Sequence, residues 1–324
     1  MDLIKNDIVE WGLEYLSSHG YTLKSNQSEN VQIRPWSYVI RYDTSAGWIY
    51  LKQTPKLIAL EATITKILHD QFHAPVPEII ASNSELDCFL MQNAGSPLRQ
   101  ILKKQFDVTL LLKSVIQFTA LQLSVADHVD IFLKIGVPDW RLDKLPNLYE
   151  KLLSQKEVLI ADGLLEKEID QLILLMPTIS TLCQKLSSYS IKPSLVQCDF
   201  HDNNILIDNT LQKITFIDLG EVVISHPFFS LVGFLWQVKK HHKLTETDYT
   251  YQILFDACFK NYFVSQKQLF DALNTTRILW HVYEALAQDR LRLACDKTEF
   301  EALQRHGKLA DRLKELISIC IQIN

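Results

Sequence analysis

The chain has 324 residues, of which 22% are charged and 47% hydrophobic, with a formal net charge of −5. Such a chain is long enough for two lobes with separate cores, and its acidic balance excludes the basic surface that nucleic acid demands. Six cysteines at 88, 183, 198, 258, 295 and 320 form no C-x-x-C pair, which points to reduced thiols of a cytoplasmic protein and away from a zinc site or disulfide framework.

The N-terminus carries Asp2, Asp7 and Glu10 in an amphipathic pattern, which predicts a first helix and no signal peptide. No run of about 18 apolar residues is read as a membrane span. Residues 31–33 (VQI), 38–42 (YVIRY) and 48–52 (WIYLK) are expected strands, with a turn over 44–47. Lys52 ends the third strand. Beyond Pro55, LIALEATITKILHD has helical spacing, with Leu57, Leu60, Ile64, Ile67 and Leu68 on one side and Glu61 inside. Residues 76–81 and 88–95 are expected to form two more strands and a connection. The remainder reads as helical over 106–124, 146–160, 164–188, 246–263, 266–293 and 298–321. A Pro-containing turn at 226–231 is expected to precede a buried helix.

Residues 196–220 read VQCDFHDNNILIDNTLQKITFIDLG. Asp199 is followed five residues later by Asn204, and Asp218 precedes Leu-Gly. Ile205 to Ile207 and Lys213 to Ile217 predict a hairpin, with Asp208-Asn209 as turn chemistry. A hairpin brings its outer ends together, so Asn204 and Asp218 are expected side by side. Phosphoryl transfer from ATP needs a carboxylate to hold the attacking hydroxyl, and an Asn and second carboxylate to hold Mg²⁺ on the phosphates. It also needs a strand Lys for the α/β-phosphates and a helix Glu to hold that Lys, roles that fall to Lys52 and Glu61. There is no G-x-G and no P-loop among the nine glycines. The turn Arg34-Pro35-Trp36-Ser37 reads either as the phosphate loop, where Ser37 can donate to a phosphate and Arg34 can add charge, or as a Trp-Ser turn packed on the sheet.

The segment resembles the catalytic core of the aminoglycoside phosphotransferase and choline kinase-like family of small-molecule kinases, whose motifs read H-G-D-x-H-x-x-N-I-L and I-D-[FW]-[GD]. The matching residues are Asp199, His201, Asn204, Ile205 and Leu206, then Ile217 and Asp218. Gln197-Cys198 stands in place of His-Gly, and Asp202 where a Pro is common.

The resemblance implies an α+β, bilobal, protein-kinase-like fold, with an N-lobe over 1–93 and a mainly helical C-lobe over 94–324. It implies Asp199 as catalytic base or hydroxyl orienter and Asn204 and Asp218 as Mg²⁺ ligands. ATP would lie between the lobes, with Met91 and Asn93 along the adenine edge. The partner would be a small-molecule hydroxyl acceptor, and the protein a monomer or homodimer that binds neither nucleic acid nor membrane. Asp202, Glu221, Glu284 and Asp289 are candidates for an amino-containing acceptor.

Two other readings are weighed. A catalytically idle kinase-fold binding protein would be expected to have lost one of Lys52, Glu61, Asp199, Asn204 or Asp218, and all are present. An HD-type phosphohydrolase would use His69-Asp70 and His201-Asp202, but the second dipeptide lies directly before a strand and not within a helical bundle.

Overall fold

A computed structural model describes residues 2–25, 27–208, 210, 212–262, 265–302 and 305–323. They form an α+β protein with an antiparallel N-terminal sheet and a mainly helical C-terminal part. The chain divides into two compact units. One holds Met1–Ile101, Asn203–Gly220 and Ala294–Asp296, and the other holds Leu102–Asp202, Glu221–Leu293 and Lys297–Asn324.

The first unit is built on β1 (Glu29–Arg34), β2 (Ser37–Thr44), β3 (Gly47–Gln53), β4 (Ile79–Asn83) and β5 (Cys88–Gln92), in the order β1-β2-β3-β5-β4 and antiparallel throughout. Alternation sets the faces. Tyr38, Ile40 and Tyr42 of β2 and Ile49 and Leu51 of β3 are buried against Ile8 and Leu16 of the helix Asp2–Ser18. β1 is solvent-exposed along its whole length, Val31 and Ile33 included.

The helix expected from Leu57 onward begins later. Lys56–Ile58 is a single 3₁₀ turn, with Ile58 buried and Leu57 exposed, and the α-helix is Glu61–Phe72. Pro55 fixes the entry, and Glu61 becomes the first helical residue, where the helix dipole favours an acid. The fourth strand starts at Ile79 instead of Val76, because Pro77 has no N–H to give a ladder.

Five shorter strands follow: β6 (Ser96–Pro97), β7 (Ser194–Val196), β8 (Ile205–Asp208), β9 (Lys213–Phe216) and β10 (Val223–Ser225). β8 and β9 form the expected hairpin, with Ile205 opposite Phe216, and β6 adds to its other edge. In its turn, Asp208 accepts from the Thr210 N–H at 2.8 Å. Asn209 of that expected turn lies outside the described residues. Gly95, at φ 113°, packs so closely on the Ile207 carbonyl that any Cβ there would collide with it.

The second unit pairs β7 with β10 and surrounds them with helices. The run expected over 164–188 breaks into Glu166–Leu174 and Met176–Ser187, since Pro177 belongs at a helix start. Residues 146–160 likewise divide into Leu145–Leu153 and Lys156–Ala161. The helix expected over 246–263 is Tyr249–Phe259, and that over 298–321 is Lys297–Ala302 followed by Lys308–Ile323. Residues 263, 303 and 304 lie outside the described residues.

The helix Val108–Val125 corrects one expectation. With a mean hydropathy of 1.5 over 18 residues, it is long and apolar enough to cross a membrane, and half of it is buried inside the protein. Its buried Gln122 donates to the carbonyls of Leu195 (3.1 Å) and Pro227 (3.2 Å) and accepts from the Tyr262 hydroxyl (3.0 Å). Those bonds are what a helix in a packed core makes.

Candidate active site

In the first unit, a cavity of about 400 Å³ is lined by Ser37, Lys52, Glu61, Met91, Asn93, Asn204 and Asp218. Every nucleotide and metal candidate read from the sequence except Arg34 is therefore on one surface. Arg34 is not among the lining residues. Asp199 belongs to the second unit.

Lys52 organises the cavity. It sits in β3, between Val39 of β2 and Phe89 of β5, and is buried. Its Nζ lies 2.6 Å from Glu61 Oε2 and 2.6 Å from Asp218 Oδ1. Burial works against the ammonium, but the facing carboxylates outweigh it and hold the Lys52 pKa above its ordinary value. Burial pushes the Glu61 carboxyl up. Glu61 also reaches the metal motif, since its Oε1 accepts from the Leu219 N–H at 3.2 Å. One ammonium against two carboxylates leaves the cluster negative, which suits a divalent cation.

Asp218 has φ 65°, in the left-handed region that costs most residues about 1 kcal/mol or more. Its neighbour Gly220 approaches the Ile58 carbonyl, which a Cβ would meet at 2.8 Å. Asn204 is buried, and its carbonyl accepts from the Ile217 N–H at 3.0 Å, which sets it across the hairpin end from Asp218.

A carboxylate and an amide oxygen on one cavity form a donor set that fits Mg²⁺ shared with phosphates, with the Lys52 ammonium beside them to face the phosphates, since such an ion keeps water and phosphate oxygens and needs few protein ligands. Among the described residues, no group of three or more His, Cys, Asp or Glu is placed to hold a metal on its own. Asn93 has a structural duty as well: its Oδ1 accepts from the Gly95 N–H at 3.1 Å. Sequence reasoning missed Asn203 and Gln100, which also line the cavity. The first was signalled only by its adjacency to Asn204.

In the second unit, the segment after β7 is fixed through its main chain. The Gln197 N–H donates to Ser230 Oγ (2.9 Å), and the Ser230 hydroxyl donates to the Gln197 carbonyl (3.0 Å). The Cys198 thiol donates to the Glu221 carbonyl (3.1 Å) and accepts from the Tyr283 hydroxyl (2.9 Å). Asp199 is then half exposed, with His201 Nε2 3.1 Å from its Oδ2.

The acidic acceptor candidates separate. Asp202 is buried and held by His242 at 2.8 Å, and Asp289 is held by Arg292 at 2.7 Å. Glu221 gives its carbonyl to Arg290 at 3.0 Å. Glu284 is part-buried, and burial first, then the Asp199 charge, pushes its carboxyl from 4.5 up to about 8. Its proton is thus favoured in the folded state, so stability present below the unfolded pKa is lost as pH rises towards 8. Glu284→Gln, permanently neutral, is expected to melt at an increasing advantage over wild type between about pH 5 and about pH 9. Parallel melting curves for the two proteins across that range would refute the burial.

The family model for the phosphotransferase enzyme family matches residues 30–246. No curated protein matches the chain in sequence. Among solved structures, it is similar to an ethanolamine kinase from Plasmodium vivax (TM-score 0.60, 11% identity, 89% of this chain and 82% of that one). It is similar to a choline kinase from Streptococcus pneumoniae (0.58, 11%, 94% and 98%). A third is an aminoglycoside phosphotransferase from Streptomyces rimosus in complex with ADP and streptomycin (0.50, 16%, 87% and 98%). At these identities the solved structures establish the kinase-like fold, and the family match covers both the Lys52 strand and the metal motif. The chain belongs to the phosphotransferase enzyme family.

Proposed function

We propose that this protein transfers the γ-phosphate of ATP to a hydroxyl group of a small-molecule acceptor. The observation that carries the reading is Lys52, buried and held at 2.6 Å by both Glu61 and Asp218 on a cavity that Asn204 also lines. A lysine buried at that cost has no evident structural purpose that an apolar residue would not serve better.

In this reading Lys52, braced by Glu61, binds the α/β-phosphates, and Ser37 contributes a donor from the β1–β2 turn. Met91 and Asn93 line the adenine edge. Asn204 and Asp218 would hold Mg²⁺, which when bound neutralises charge on the phosphate oxygens. Asp199, oriented by His201, holds the acceptor hydroxyl and takes its proton. Positioning and electrostatics supply most of the rate, because the transition state is loose. The unit that holds Lys52, Asn204 and Asp218 would take the nucleotide, and the unit that holds Asp199 the acceptor. The relative solved with ADP and streptomycin supports nucleotide use with a small-molecule acceptor. A cytoplasmic monomer or homodimer, without nucleic-acid or membrane partners, fits the reading.

Asp199→Ala tests it. Transfer is expected to fall by about 10³-fold or more, while Mg·ATP affinity changes by less than about threefold. Wild-type transfer by this variant would remove Asp199 from the mechanism.

A further inference from the structure

The second unit contains a cavity of about 320 Å³, walled by Trp236, Tyr251, Phe255 and Trp280, with Arg277 and Arg312 among its charged lining. The two indoles stand 6.2 Å apart at 40°, an aromatic wall on which a planar ring can stack. The charged groups facing it are three permanent cations (Lys239, Arg277 and Arg312) and two carboxylates, Glu246 and Glu315. Both carboxylates are occupied: Glu246 by Lys239 (2.8 Å) and Arg277 (3.7 Å), Glu315 by Arg312 (2.8 Å) and His281 (3.3 Å). Burial first, then the Arg312 charge, lowers His281 to about 4, so it adds no charge at neutral pH. The lining is net positive.

One wall of this cavity belongs to a helix that also touches the segment leading into Asp199. Arg277, Trp280, His281 and Glu284 recur at three- and four-residue spacing on the helix Gln266–Ala294, and so share one face. The same helix is tied to the loop by the Tyr283 hydroxyl, 2.9 Å from Cys198 Sγ, one residue before Asp199. Glu284 feels both Asp199 and Arg312. One helical turn, about 5.4 Å, separates Glu284 from Trp280.

We propose that this cavity is the acceptor site, and that it takes an anionic, planar hydroxy compound, an aromatic hydroxy acid being the simplest, in preference to a polyamine. The inference rests on the phosphotransferase reading above and narrows its acceptor class. The carboxylate of the acceptor pairs with Arg277 or Arg312, and its ring stacks on Trp280. Its hydroxyl oxygen bonds to the γ-phosphorus of ATP as the bridge to the β-phosphate breaks, ADP leaves, and the hydroxyl proton passes to Asp199. An ammonium meets no unoccupied carboxylate among these lining groups, since Glu246 and Glu315 each already face a cation.

The test uses two probes of the same shape and opposite charge, 4-(hydroxymethyl)benzoate and 4-(hydroxymethyl)benzylamine, titrated against the whole chain by tryptophan fluorescence. The benzoate is expected to bind at least about tenfold tighter. Arg277→Gln/Arg312→Gln should erase that preference, Arg277→Lys should keep it, and Trp280→Phe should remove most of the signal. Equal binding, tighter binding of the amine, or no benzoate response would overturn the proposal. Mg·ATP binding by the same sample separates the two ideas: its loss with benzoate binding intact overturns the phosphotransferase reading. Its retention with an amine-preferring cavity overturns only the acceptor class.

Discussion

Asp218→Asn is expected to weaken Mg²⁺-dependent ATP binding by about a hundredfold, roughly 2.7 kcal/mol. The substitution removes the one carboxylate of the Asn204–Asp218 pair while keeping shape and an oxygen atom. Asn also tolerates the left-handed backbone at φ 65°, so the fold should survive. Lys52 keeps Glu61 at 2.6 Å, so binding of ATP in chelator should change little. Titration calorimetry with and without Mg²⁺ reads both quantities, and an unchanged Mg·ATP affinity would remove Asp218 from the metal site.

Lys52→Met carries the second large effect, on stability. It deletes the ammonium between two carboxylates and strands Glu61, which is 4% exposed. Breaking one side of a buried pair costs about 3–5 kcal/mol. Glu61 is already pushed up by burial and would retain its proton further into the neutral range without Lys52. Protonation relieves the stranded charge, so the loss should deepen as pH rises from the acid side. Adding Glu61→Gln should restore most of the stability by removing the charge, although its amide must still bond the Leu219 N–H. Urea unfolding measures both variants. A single mutant with the wild-type midpoint would mean that the Lys52–Glu61 pair contributes nothing.

These expectations show what was legible from residue order. Lys52, Asn204 and Asp218 are read from expected strand ends and Glu61 from inside an expected helix, and the structure brings the four to one cavity. The hairpin is the clearest instance: alternation in 213–217 and the short apolar run at 205–207 force Asn204 and Asp218 to the same end. The contacts that hold the Asp199 loop were hidden, because their partners are far apart in sequence. Ser230 clamps Gln197, Tyr283 reaches Cys198 and His242 holds Asp202. No period or motif announces such a pair.

Gln197-Cys198 stands where the family motif has His-Gly, directly before Asp199. The structure supplies the bracing through Ser230 on the main chain, which accepts any side chain at 197 that fits. Of the acidic acceptor candidates, Asp202 is paired with His242, forty residues on, and Asp289 with Arg292 on the next turn of its own helix. Helix ends were misjudged where apolar spacing ran on through a break, as at Pro177 and at Leu57, since periodicity continues across a turn that the backbone does not.

Phosphate transfer is tested most directly by ATP consumption over a broad panel of hydroxyl compounds, in Mg²⁺ and in chelator, with the phosphorylated product weighed by mass spectrometry. Mg²⁺-dependent ADP formation matched mole for mole by one phosphorylated acceptor is the predicted result. Tight Mg·ATP binding with no transfer to any hydroxyl would contradict it, and would make this a kinase-fold protein that binds nucleotide without using it.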